Sequence, residues 1–111
     1  MNRLLQHIKD YLFRGVKLGA IRSVQWSSFR KENIGKECRA CGQKGTLLKP
    51  LELHHSEPYN INPSRELDKT NIITLCRTCH FLIGHLKNFK SWNINIKEDA
   101  QTLRDKIKNR P

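Results

Sequence analysis

The sequence holds four cysteines, grouped as Cys38-x-x-Cys41 and Cys76-x-x-Cys79 with 34 residues between the pairs, Gly42 to Leu75. Two such pairs form the ligand set of a closed, tetrahedral structural zinc site. A redox dithiol needs only one pair and a strand–helix framework that is not evident here. The long gap makes the zinc close a loop containing an inserted element, so its binding is coupled to folding, on the order of 10 kcal/mol in small zinc modules. With every cysteine engaged, that zinc keeps no open position, and chemistry must come from other residues. The candidates are His54 and His55, adjacent inside the loop, Asn71 near its end, and His80, directly after the last cysteine. Imidazole titrates near neutrality and is both a metal ligand and a general base. Neighbouring strand residues point to opposite faces, so His54 and His55 can share a site only near a strand end, which Pro58 places close by.

The elements that must position these groups follow from periodicity. Leu4, Leu5, Ile8, Tyr11, Leu12 and Phe13 recur at helical spacing and predict a helix ending near Gly15. A second helix is expected from an N-cap at Ser23, packing Val24, Trp26, Phe29 and Ile34 and stopping by Gly35. Cys38 to Gly42 predicts a tight turn, and Leu47 to His55 a strand entering the central motif. Pro58 and Pro63 mark a loop, the β-branched run Asn71–Leu75 a returning strand, and Cys76 the start of a helix running toward Lys87. Asn93 and Asn95 predict a loop. A last helix over Glu98–Asn109 has acids early and bases late, as the helix dipole prefers. The class is α+β: a small β, β, α core with flanking helices. Its 111 residues divide into a basic helical extension (1–36), the core (37–92) and a C-terminal basic helix (93–111).

At this point the sequence resembles the HNH endonuclease family, whose fold is two strands and a helix around a catalytic metal. The resemblance runs through Cys38-x-x-Cys41-Gly42, Leu53-His54-His55, Asn71-Ile72-Ile73-Thr74-Leu75-Cys76 and Cys79-His80. A phage and bacterial subgroup is similar in Arg22-Ser23-x-x-Trp26, Glu66-Leu67-Asp68 and Gly84-His85-Leu86 followed by Trp92. The resemblance implies that His54 and His80 ligate a catalytic divalent ion, Mg²⁺ or a similar one. It further implies that His55 is the general base and that Asn71 braces the base-bearing loop. Some members carry another ligand histidine four residues after the first helix histidine. Gly84 holds that place here and His85 follows. Five α-helical residues turn a side chain about 140° away, so joint ligation by His80 and His85 requires a local distortion. His85 is therefore read as a phosphate contact or packing residue before a ligand.

The net charge is +11, and it is uneven. Residues 1–36 carry eight bases against two acids, residues 37–86 are nearly balanced, and residues 87–111 carry seven bases against three acids. Basic flanks around a near-neutral centre suit phosphate gripping. Arg22, Arg30, Lys31, Arg77, His85 and Lys87 are the expected nucleic-acid contacts, with double-stranded DNA the expected partner. No stretch approaches the roughly 20 apolar residues of a membrane span, and the start lacks a signal-peptide run, so an intracellular, cytoplasmic place with no membrane partner is expected. A homodimer, or a phage packaging partner such as terminase, fits the same residues. Two rival readings are a zinc-stabilised DNA-binding module that does not cut and an RNA-directed nuclease. Intact His54, His55, Asn71 and His80 speak against the first.

Overall fold

The computed structural model describes residues 23–111. The helix expected over Leu4–Phe13 and the contact expected of Arg22 lie outside them. The chain runs through helix α1 (Trp26–Asn33), strand β1 (Glu52–His55), two short 3-10 turns (Pro63–Arg65 and Lys69–Asn71) and strand β2 (Ile72–Leu75). One α-helical turn, α2 (Arg77–Cys79), passes directly into a π-helical turn (His80–Gly84), and helix α3 (Ile96–Lys108) follows. This is the α+β class the sequence implies, built on a two-stranded antiparallel sheet.

The register pairs Glu52 with Leu75, Leu53 with Thr74, His54 with Ile73 and His55 with Ile72. Opposed residues share a face and successive ones alternate, so His54 and Ile73 point one way and Leu53 and Thr74 the other. The core lies on the His54–Ile73 side. There Ile73 and Leu75 pack with Leu51, the cysteines Cys38, Cys76 and Cys79, Ala40, and Ile96 and Ala100 of α3. Ile96, Ala100, Leu103 and Ile107 fall at the spacing that forms one helical stripe, which is why α3 docks.

Two of the expected boundaries that move do so for identifiable reasons. Helix α1 begins at Trp26 rather than after a Ser23 cap, because Ser23 gives its N–H and hydroxyl to the Glu66 carboxylate. Strand β1 begins at Glu52 rather than Leu47. Thr46 and Lys49 close a turn on each other (Thr46 N–H to Lys49 O, 3.1 Å; Lys49 N–H to Thr46 Oγ1, 3.0 Å), leaving Leu47 and Leu48 in solvent. Pro50 then has no N–H to give a strand ladder.

Candidate functional site

The four-cysteine cluster forms from two turns of chain. Cys38 and Cys41 sit on the tight turn that Gly42 closes at φ 83°, a left-handed conformation that favours glycine. Cys76 caps the helical turn that carries Cys79, its Sγ accepting from the Cys79 N–H at 3.4 Å. All four sulfurs lie within 4.8 Å of one another. Burial raises the Cys38 thiol, but N–H donors of Cys76, Cys41 and Ala40 outweigh it and hold the group down at about 7. Cys79 is pushed well up, first by burial and then by the negative charge of Cys38. One thiolate thus holds up its neighbour's proton, so full ionisation of the cluster calls for a cation among the sulfurs.

A second cluster stands at the end of the sheet. One ring nitrogen from each of His54, His80 and His85 lies within 4.8 Å of the others, and ring centroids are 4.8–4.9 Å apart. The π-helical turn is what unites His80 and His85. Five residues in α-helix would diverge, but the wider turn closes with His85 N–H on His80 O at 3.0 Å and returns His85 above His80. The distortion that joint ligation requires is therefore present. The next two residues, Leu86 and Lys87, hold left-handed φ values of 54° and 67°, backbone strain of roughly 1–2 kcal/mol each that turns the chain back. That reversal lets the Ser91 carbonyl accept from His85 Nδ1 at 2.7 Å.

These contacts set the tautomers. A carbonyl only accepts, so neutral His85 carries its proton on Nδ1. The Glu52 carboxylate, 3.0 Å from His80 Nδ1, does the same for His80. The two Nε2 lone pairs then face each other at 3.1 Å. Two imidazole nitrogens bound at about 2.1 Å to one ion, at right angles, lie about 3 Å apart. His54 adds a buried Nε2 that has no hydrogen-bond partner among the described residues. Burial, then the neighbouring charges of His80, His85 and His55, hold the His54 imidazole down at about 3, so it is neutral and able to ligate. Burial also lowers His85, against the pull of the Ser91 carbonyl. The arrangement fits a divalent cation. Gly84 makes it possible: a Cβ there would lie 3.1 Å from His54 Nδ1 and 3.2 Å from His80 Cδ2.

His55 ends the strand on the opposite side from His54. Its Nε2 lies 2.9 Å from the Glu66 carbonyl, and the Trp26 ring stacks at 4.9 Å and 33°. Asn71, fully buried, staples the loop between the strands. Its Oδ1 accepts from Glu57 N–H at 2.9 Å and its Nδ2 donates to the Glu57 and Arg65 carbonyls, while its own carbonyl accepts from Ser56 N–H at 2.8 Å. Arg65 ties the same loop through Glu57 and Asp68, each at 3.1 Å.

Among the expected nucleic-acid contacts, Lys31, Arg77 and Lys87 are exposed. Arg30 is half-buried and gives Nη2 to the Leu51 carbonyl, and His85 stands in the histidine cluster. Sequence reasoning assigned no part to Glu52, although it sits two residues before His54 and so on the same face. It also missed the Ser91 carbonyl, for which no side-chain signal exists. A cavity of about 500 Å³ lies across the sheet at Leu53 and Thr74. Arg39, Lys69 and Lys97 line it, with no acidic side chain.

Residues 38–85 match the model of a family described as HNH endonuclease. Neither a curated protein nor a solved structure matches the chain. No helix among the described residues is long and apolar enough to cross a membrane.

Proposed function

Because this chain carries an HNH endonuclease domain over residues 38–85, we propose that it is a metal-dependent endonuclease that hydrolyses DNA phosphodiester bonds. The observation that carries this is the 3.1 Å approach of the Nε2 atoms of His80 and His85, beside the Nε2 of buried His54, which has no hydrogen-bond partner among the described residues.

In this reading His54, His80 and His85 hold the catalytic ion, with Glu52 and the Ser91 carbonyl fixing two of the rings. The bound ion supplies Lewis-acid stabilisation of a phosphoryl oxygen and of the departing 3′ oxygen. His55 takes the proton of the attacking water. With Nε2–H committed to the Glu66 carbonyl, the basic lone pair is on Nδ1. Asn71 keeps the strand end and the loop in fixed relation, so that the base keeps its place. Cys38, Cys41, Cys76 and Cys79 hold a permanent zinc that fixes the start of the helix bearing His80. Three imidazoles suit Ni²⁺, Co²⁺ or Zn²⁺ better than Mg²⁺, which prefers oxygen ligands, and Mn²⁺, though also at home with oxygen, takes nitrogen ligands more readily than Mg²⁺. Phosphates away from the cut are gripped by exposed bases: Lys31, Arg77, Lys87, and the cavity cations Arg39, Lys69 and Lys97.

Incubating supercoiled plasmid with the zinc-loaded protein and each divalent ion in turn tests the proposal. Nicking with 5′-phosphate ends, stronger with Mn²⁺ or Ni²⁺ than with Mg²⁺, is expected. No cleavage with any of these ions would leave a non-cutting DNA-binding module, and preferential cutting of structured RNA would change the substrate.

A further inference from the structure

Glu66 is a carboxylate only 4% exposed, in a chain with a large excess of bases. A buried carboxylate is costly unless donors meet it. Among the described residues they come from Ser23. The Ser23 N–H reaches both carboxylate oxygens, at 3.2 and 3.1 Å, and the Ser23 hydroxyl donates to Oε1. The Ser23 carbonyl in turn accepts from the Trp26 N–H at 3.2 Å, at the start of α1. Trp26 places its ring on His55, and His55 Nε2 returns to the backbone carbonyl of the same Glu66. The contacts close a circuit: Glu66 carboxylate, Ser23, Trp26, His55, Glu66 carbonyl. Asn71 anchors it by holding the Arg65 carbonyl, one residue away, at 3.1 Å.

We propose that Glu66 is the positioning residue of the general base: its carbonyl fixes the His55 tautomer, and its carboxylate latches Ser23 so that Trp26 clamps the other side of the imidazole. The proposal rests on the nuclease reading only in giving His55 its role. The latch holds His55 by geometry, with or without turnover. It also explains why helix α1, which buries no residue of its own, is attached to the sheet at its first residue.

The test is a double-mutant cycle between Glu66 and His55 in full-length, zinc-loaded protein. It is read by steady-state cleavage kinetics, kcat and KM, and by ¹⁵N imidazole resonances. Glu66→Ala should lower kcat about tenfold or more, since small misplacements of a reacting group are costly, with KM and zinc content near native. Glu66→Gln, whose amide oxygen still accepts from the Ser23 N–H, should recover most of that loss. In a His55→Ala background the same change should cost less than about twofold, because residues acting as a unit are not additive. The His55 resonances should report a proton on Nε2 in the native protein and shift in Glu66→Ala. A full additional loss in the His55→Ala background would make Glu66 a fold residue and overturn the proposal. Unchanged kcat with unchanged resonances would do the same. If Glu66→Ala fails to fold, Ser23→Ala, which removes only the hydroxyl, carries the cycle with the same expectations. If native protein cuts nothing, the nuclease reading fails, and the resonances alone decide: movement in Glu66→Ala or Ser23→Ala, with Glu66→Gln close to native, upholds the latch, and no movement in either alanine variant overturns it.

Discussion

His85 Nε2 lies 3.1 Å from His80 Nε2 although five positions separate the two residues, and a π-helical turn is what brings them together. A helix that widens by one residue trades regular hydrogen bonding for a shared face, and here that face holds two of the three ring nitrogens that converge. Gly84 fills the inside of the turn, against the His54 and His80 rings.

Gly84→Ala should therefore damage the ion site more than the fold. The added methyl sits 3.1–3.2 Å from His54 and His80, tight enough that the rings must give by a few tenths of an ångström. Affinity for Mn²⁺, measured by calorimetric titration, should fall about tenfold, in the range seen when support of a ligand is removed, with the cysteine-bound metal retained. Native affinity in the variant would mean that the rings are not held against Gly84.

Cys76→Ser should unfold the centre of the protein. Cys76 is almost fully buried, caps the turn that carries Cys79 and His80, and belongs to both the metal cluster and the apolar core. A chelator strong enough to strip the cysteine metal should have the same effect on the native chain. A cooperative, native-like melt of metal-free protein would contradict the coupling of metal to fold.

Acid should destabilise the form without a catalytic ion through His54. Burial holds this imidazole at about 3, whereas its ordinary value is 6.5. Below 6.5 the unfolded chain takes up a proton that the folded chain refuses, so stability present above pH 6.5 is lost progressively as pH falls toward 3. Denaturant titrations across that window should show a smaller pH slope in His54→Asn than in native protein. The cysteine cluster is common to both and drops out of the difference. Equal slopes would place the acid sensitivity elsewhere.

Much of this was legible in the sequence, and the exceptions have physical causes. Paired cysteines announce a cluster because their spacing suits one tetrahedral ion, and the β-branched run Ile72–Leu75 announces the returning strand. Helix α3 was legible to within two residues at its start because its stripe and end charges agree. The convergence of His85 on His80 was not legible, because five residues diverge in an α-helix and no residue type announces a π turn. Ser23 resembles an N-cap, yet a carboxylate 43 positions away takes its donors, a competition that no local pattern contains. The Leu47–His55 strand came out short because Thr46 and Lys49 turn the chain before it starts.

Charge should show in salt dependence. Arg39, Lys69 and Lys97 line one cavity without an acid beside them. If they meet phosphates, Lys69→Gln together with Arg39→Gln should reduce the slope of log affinity against log salt by roughly 0.9 for each phosphate that is no longer neutralised. Such binding is measured by fluorescence anisotropy on duplex DNA without a divalent ion. An unchanged slope would leave that face out of the DNA interface.

The proposed division of labour between the three clustered histidines and His55 is tested most directly by plasmid cleavage with His55→Ala in Mn²⁺, alongside DNA binding and metal content. Cleavage should fall at least about a hundredfold, as for loss of a general base, while duplex affinity, the cysteine-bound metal and Mn²⁺ uptake stay close to native. Native-rate cutting by that variant would contradict the assignment of the base, and loss of Mn²⁺ uptake would place His55 among the ligands.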